Sequence, residues 1–220
     1  MALRPVDVVG IVKGYMLETQ AYCEAKLHYM IMSKRQGAGV EEGLARKLVE
    51  ETLKLLRRPR GMGVEFVRIP IYAMYNGVFL SLSPDAIVYV DGAVAGLMEA
   101  RIRANMRYYD SDFLVLEVAG LLVEEILGVE LYNLKLILLV ASDTNSLRNA
   151  IEDTRGNPFK PWKSESWLRV VRLYDRGSSL NKLLKLLEYW LGIRSFKPNP
   201  SPSKCRVCEY RDQCPSRFRE

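Results

Sequence analysis

Four cysteines restrict what this chain can fold into more than any other feature. Cys205, Cys208 and Cys214 fall within ten residues as C-x2-C-x5-C, and Cys23 stands alone near the other end. Three clustered thiols and one distant thiol make a set of four soft ligands. A site built from all four requires a fold that brings residue 23 beside residue 205. The two ends of the chain would then be clasped around one inorganic centre.

Four cysteines in 220 residues are too sparse for a disulfide-stapled miniprotein. The segment MALRPVDVVGIVKGYMLETQ lacks the basic region, long apolar run and small-residue cleavage site of a secretory signal. No apolar run reaches the roughly 18 residues that span a bilayer. The expectation is a cytoplasmic protein without a membrane partner, where clustered cysteines bind metal or act in catalysis. On the thiols alone, zinc and iron–sulfur chemistry both stay open. All-cysteine zinc sites favour two C-x2-C pairs, whereas iron–sulfur clusters accept irregular spacing. Unrelated buried thiols, packed as small hydrophobes, are the third alternative.

The chain is 49% hydrophobic, enough to bury a substantial core without a metal to compensate for size. Its net charge is +6, and residues 194–220 carry seven Lys or Arg against three acids. A basic rim around a metal knuckle suits phosphate contacts; a solvated polar tail has the same composition.

Apolar spacing predicts a helix over 5–35 and a second over 41–56, which Arg57-Arg58-Pro59-Arg60-Gly61 ends. Short β-branched or alternating runs then predict strands at 64–72, 78–82, 86–90 and 93–101, with Asp91-Gly92 as a hairpin turn. Residues 113–127 read as helix, 131–141 as a central strand, 157–162 as a loop and 167–174 as a last strand. Residues 179–191 read as a helix capped by Ser178 and Ser179. A Pro-rich linker over 197–203 leads into the cysteine cluster. This order predicts an α/β fold with a mixed sheet flanked by helices.

Asp85 lies in the turn of LSLSPDAIVYVDG, and Glu99 lies fourteen residues later in AGLMEARIR. Period-two alternation puts Glu99 and Arg101 on one strand face. A hairpin would bring both carboxylates to one end of the sheet, where they could bind a hard divalent cation through oxygen. Such an ion can generate hydroxide from water and neutralise a phosphodiester, and a nearby cation can stabilise the transition state. An Asp in a turn and a Glu beside an Arg also occur as ordinary solvated strand-edge charges.

Taken together, these pieces resemble the CRISPR-associated RecB-like exonucleases, the Cas-four family of the PD-(D/E)XK nuclease superfamily. The cysteine frame and the Asp85/Glu99 spacing carry the resemblance, which runs from Cys23 in AYCEAKLHY to KCRVCEYRDQC. It implies a restriction-endonuclease-like core over 61–196. An N-terminal helical region, 1–60, would contribute Cys23, and 197–220 would form an iron–sulfur knuckle. It implies that Cys23, Cys205, Cys208 and Cys214 hold an iron–sulfur cluster, 4Fe–4S ahead of 2Fe–2S. It implies that Asp85 and Glu99 bind Mg²⁺ or Mn²⁺, with Arg101 as the third catalytic position. The implied activity is single-stranded DNA exonuclease in spacer acquisition, with CRISPR integrase proteins as partners. The alternative is an iron–sulfur DNA-binding adaptor of that integrase with weak or no cleavage.

Three active-site elements depart from the family pattern. The lysine of its E-x-K motif is Arg101 here; its histidine falls at Lys47, four residues after Gly43; and its Q-x-x-x-Y helix falls near Val115 and Ala119. A guanidinium is bulkier than an ammonium, stays charged and cannot act as a base. Other expected DNA contacts are Lys47, Arg57, Arg58, Arg60, Arg103 and Arg107, with Trp162 as a base-stacking platform in FKPWKSES. Tyr108 and Tyr109 adjoin that basic loop. His28 reads as a packed residue of the first helix.

Overall fold

The computed structural model describes residues 4–33 and 41–218. The predicted N-terminal helix is broken into α1 (Pro5–Val9), a short strand β1 (Val12–Lys13), α2 (Gly14–Tyr22) and α3 (Glu24–Met32). Gly10, at φ 69°, ends α1 in a conformation that costs glycine little. Cys23 is the hinge between α2 and α3, with an extended backbone at φ −165° and ψ 111°. An unbroken apolar stripe conceals both breaks, because periodicity reports burial and not continuity. Residues 34 and 35 of the predicted helix lie outside the described residues.

After α4 (Glu42–Arg57) come β2 (Val64–Val67), β3 (Ile71–Tyr75), β4 (Val78–Leu82), β5 (Ala86–Val90) and β6 (Ala93–Ile102). The single strand predicted over 64–72 is thus two strands in different sheets. Pro70, which has no N–H to give a ladder, stands between them. The Asp91-Gly92 turn joins β5 to β6 with both residues at positive φ, 49° and 82°, as a tight two-residue hairpin requires.

The remaining elements are α5 (Leu114–Leu127), β7 (Lys135–Ala141), α6 (Thr144–Gly156), β8 (Trp162–Lys163), β9 (Trp167–Leu173), α7 (Arg176–Trp190) and α8 (Pro202–Arg206). The sequence pattern predicts no element over 144–156. Only Leu147, Ala150 and Ile151 are apolar along that helix, so its pattern is faint. The Asp143 side chain accepts from the amides of Asn145 and Ser146, both at 2.9 Å, and caps it. Likewise α7 is capped by Asp175, which accepts from Ser178 N at 2.9 Å. Ser178 and Ser179, the predicted caps, lie inside its first turn.

The mixed sheet has six strands in the order β2-β5-β6-β7-β9-β8, with β7 parallel to β6 and antiparallel to its other neighbour, β9. A second sheet, β1-β4-β3, draws one strand from the N-terminal segment. The larger core runs from Val6 to Trp190 and includes the family-motif positions Val115 and Ala119. The 1–60 region is therefore built into the same core as the residues that follow it. A smaller core under α6 covers the other face of the large sheet. Mixed sheets flanked by helices agree with the predicted α/β class.

Candidate carboxylate site and thiol pocket

Asp85 immediately precedes β5, and the antiparallel register Ala86↔Met98 carries it opposite Glu99. Its Oδ2 accepts from the Ala100 amide at 2.8 Å, which fixes the side chain against β6. Glu99 is 7% exposed. One oxygen, Oε1, accepts from Arg101 at 2.5 Å. The other, Oε2, is buried with no hydrogen-bond partner among the described residues.

Burial pushes the Glu99 carboxyl up to about 7; Arg101 opposes the shift and the charge of Asp85 adds to it. Arg101 also donates to Glu18 on α2, so its guanidinium bridges two carboxylates. Burial works against the charge of Arg101, but the two glutamates outweigh it and raise its pKa. Burial raises the Glu18 carboxyl, and Arg101 opposes that shift as well.

Glu18 was not among the sequence candidates. The signal for it is slight: Glu18 and Glu24 are the only acids between Gly14 and Met32, and an acid in an apolar helix needs a partner.

Arg101 stands at the wall between two clefts. One, of about 650 Å³, opens beside α6 and is lined by Arg68, Asp85, Ile102, Ile151 and Arg155 among others. The other, of about 760 Å³, is lined by Glu18, Tyr22, Lys26, Arg103, Tyr109, Asp112 and Lys204. Its end at Tyr22, Lys26 and Lys204 adjoins a third pocket, which Cys23, Cys205, Cys208 and Cys214 line together.

The fold thus brings the lone cysteine to the distant three. Lys204 Nζ donates to the Tyr22 carbonyl at 2.8 Å, which ties α8 to the end of α2. The Phe218 amide donates to Cys205 Sγ at 3.4 Å. Burial raises the pKa of the Cys214 thiol, with the charges of the other three cysteines adding to the effect. Four soft donors in one pocket with basic neighbours fit the chemistry of a thiolate-held anionic centre. As placed, though, no three His, Cys, Asp or Glu side chains among the described residues are grouped so as to hold a metal ion. At the carboxylates the physical reason is visible, since the Arg101 guanidinium separates Glu99 from Glu18.

The other sequence candidates are dispersed. Arg103 lines the second cleft but is held by Asp112 at 2.5 and 2.6 Å. Arg107 is exposed, and its carbonyl accepts from Arg103. Lys47 is exposed on α4 and lines neither cleft. Arg57 donates to the Leu127 carbonyl at 3.4 Å, and Arg58 is exposed at the end of α4. Arg60 stacks 3.9 Å over the Tyr89 ring and pairs with Glu65, near the β5–β6 turn and away from Asp85. Trp162 is 45% exposed on the edge strand β8, stacked on Trp167. His28 packs on Phe196 and reaches the Tyr189 hydroxyl at 3.2 Å, and burial lowers its pKa.

No helix among the described residues is long and apolar enough to cross a membrane. No family model matches the chain, and no curated protein matches it. Among solved structures, one titled "Crystal structure of SSO0001" aligns with 96% of this chain and 88% of its own, at 11% identity and a TM-score of 0.42.

Proposed function

We propose that this chain is a divalent-metal-dependent single-stranded DNA exonuclease of the CRISPR-associated RecB-like type. In this reading its four cysteines hold an iron–sulfur cluster and its partner is the CRISPR integrase. The observation that carries the reading is Glu99 Oε2, a buried carboxylate oxygen without a partner among the described residues, beside Asp85. A native fold rarely leaves such an atom orphaned without a ligand or a role. Glu99 Oε2 and Asp85 would hold Mg²⁺ or Mn²⁺ through oxygen. A bound divalent cation supplies charge neutralisation at a phosphodiester and lowers the pKa of its water.

The protein groups do the positioning. The Ala100 amide holds one Asp85 oxygen, so the carboxylate presents the other to its surroundings. Arg101 holds Glu99 Oε1 and keeps its positive charge next to the acids, where it can donate to a phosphate but cannot take a proton. The four cysteines would bind α8 and the following segment to the α2–α3 hinge, joining distant parts of the chain.

The bridge from Arg101 to both Glu99 and Glu18 favours a second reading, a DNA-binding subunit that cleaves weakly or not at all. One assay separates the two. Labelled single-stranded DNA is incubated with Mn²⁺ and either the wild type or Asp85→Ala. Cleavage by the wild type and its loss in the variant are expected. Equal amounts of intact DNA would exclude catalysis at this site.

A further inference from the structure

Several buried or partly buried arginines are paired within the chain. Arg101, Arg103, Arg169 and Arg194 all pair with acids of the fold. Arg68, Arg148 and Arg155 differ: all three are exposed, and their side chains have no hydrogen bond or ion pair among the described residues. They also converge. Arg68 and Arg155 line the cleft beside Asp85, and Arg148 and Arg155 line its continuation along α6. Arg68 leaves β2 just beyond the strand, while Arg148 and Arg155 sit seven residues apart on α6, about two turns of one helix face.

Between these cations the cleft is apolar. Phe66, Met98, Ile102, Leu147 and Ile151 line it; Asp85 is the acid of the cleft proper, where Arg101 is a further cation, and Glu152 lies in the continuation with Arg148. An anionic polymer fits such a rim, because guanidinium groups that lack internal partners give up water, and no protein partner, in meeting phosphates. A duplex would offer this cleft only its backbone. A single strand offers phosphates to the rim and base faces to the floor.

We propose that Arg68, Arg148 and Arg155 clamp the backbone of a single strand on the α6 side of Asp85. Its bases rest on the apolar floor formed around Phe66 and Ile151. These are positioning residues, and the proposal rests on the nuclease reading of the neighbouring carboxylates. It assigns that site a direction of approach: the strand reaches Asp85 along α6, from the face of the sheet opposite α2, while Glu99 sits with Arg101 on the α2 side.

The test is equilibrium binding of a fluorescent thymidine oligonucleotide in EDTA, so that cleavage plays no part. Because the three arginines are unpaired and exposed, Arg68→Gln, Arg148→Gln and Arg155→Gln should melt like the wild type. Each should bind roughly tenfold more weakly, as the loss of a charged hydrogen bond implies. The plot of log affinity against log salt should lose about 0.7 of its slope for each phosphate contact removed. Lys185→Gln, exposed on α7 and in neither cleft, should change nothing. An abasic strand of the same length should bind more weakly than the thymidine strand.

Unchanged affinity and slope in all three arginine variants would overturn the clamp, and Asp85-dependent cleavage would still stand. Equal weakening for a duplex would overturn the single-strand assignment. Conversely, if the wild type fails to cleave but the variants lose binding, the clamp survives and the nuclease reading does not.

Discussion

Glu24 and Glu99 are equally buried, each 7% exposed, yet their chemistry is opposite. Glu24 is fully partnered: Arg194 donates to both oxygens at 2.7 Å, Gln20 donates at 2.9 Å and the Lys197 amide at 2.5 Å. Burial raises its pKa, but these donors outweigh burial and the net shift is downward. Glu99 has Arg101 on one oxygen and no partner among the described residues on the other, and burial wins, raising it to about 7. Depth does not decide what a buried acid does; the number of donors aimed at it does. Glu24 is a clamp that ties α3 to the segment after α7. Glu99 keeps its proton up to near neutral pH, because its one guanidinium does not offset the cost of charging it, as at sites that act on ligands.

The largest expected effect tests the clamp. Glu24→Gln should destabilise the protein by about 3 kcal/mol, because it leaves the Arg194 charge half-buried with only Glu188 as an acidic partner. The urea midpoint should fall at unchanged slope. A change of a few tenths of a kcal/mol would mean that Glu24 is no more structural than Glu99, and the contrast would fail.

The second effect has the opposite sign and is read in EDTA. The folded pKa of Glu99 lies above its unfolded value, so its contribution to stability is full below about pH 4.5. That contribution is lost as pH rises through about 7. Glu24 behaves in reverse: its contribution holds above the unfolded value and is lost as pH falls. Between pH 5 and 8 the wild type should therefore lose up to about 2 kcal/mol, and Glu99→Gln should be flatter over the same range. Excess Mg²⁺ should flatten the wild-type curve as well, since a bound cation favours the charged carboxylate. Parallel wild-type and Glu99→Gln curves in EDTA would show that Oε2 finds a partner in solution.

Part of this contrast could be read from the sequence and part could not. Cys23 and the C-terminal three share a pocket, as their rarity and residue type suggested, because chemistry marks such residues regardless of separation. Glu99 and Arg101 share a face because the strand period is two. The site was incomplete without Glu18, which comes from a helix 83 residues away in sequence. The hinge at Cys23 and the split at Pro70 escaped because apolar pattern tells which side is buried and not where a chain bends. Helix α6 escaped for the opposite reason: its exposed face carries so many polar groups that the buried stripe is short. That polar face is where Arg148 and Arg155 stand.

A third buried glutamate gives the smallest and finest test. Glu124 is also 7% exposed; it accepts from the Leu131 amide at 2.8 Å and the Tyr174 hydroxyl at 3.0 Å, and it forms an ion pair with Arg176 at 3.2 Å. If donor count governs these acids, Glu124 belongs with Glu24. Removing one of its two hydrogen-bond donors, with the Arg176 ion pair kept, should then cost no more than an ordinary hydrogen bond. Tyr174→Phe keeps the ring, which already lies so close to Gly120 that a Cβ there would meet it at 2.8 Å. The packing is therefore preserved and only the hydroxyl is lost. The expected cost is about 1 kcal/mol in chemical denaturation, with no change in DNA cleavage or binding, since Tyr174 lines neither cleft beside Arg101. A cost near that of Glu24→Gln would show that the last missing donor matters more than the tally. Glu99, one donor short in its buried setting, would then owe its raised pKa to the identity of the absent partner.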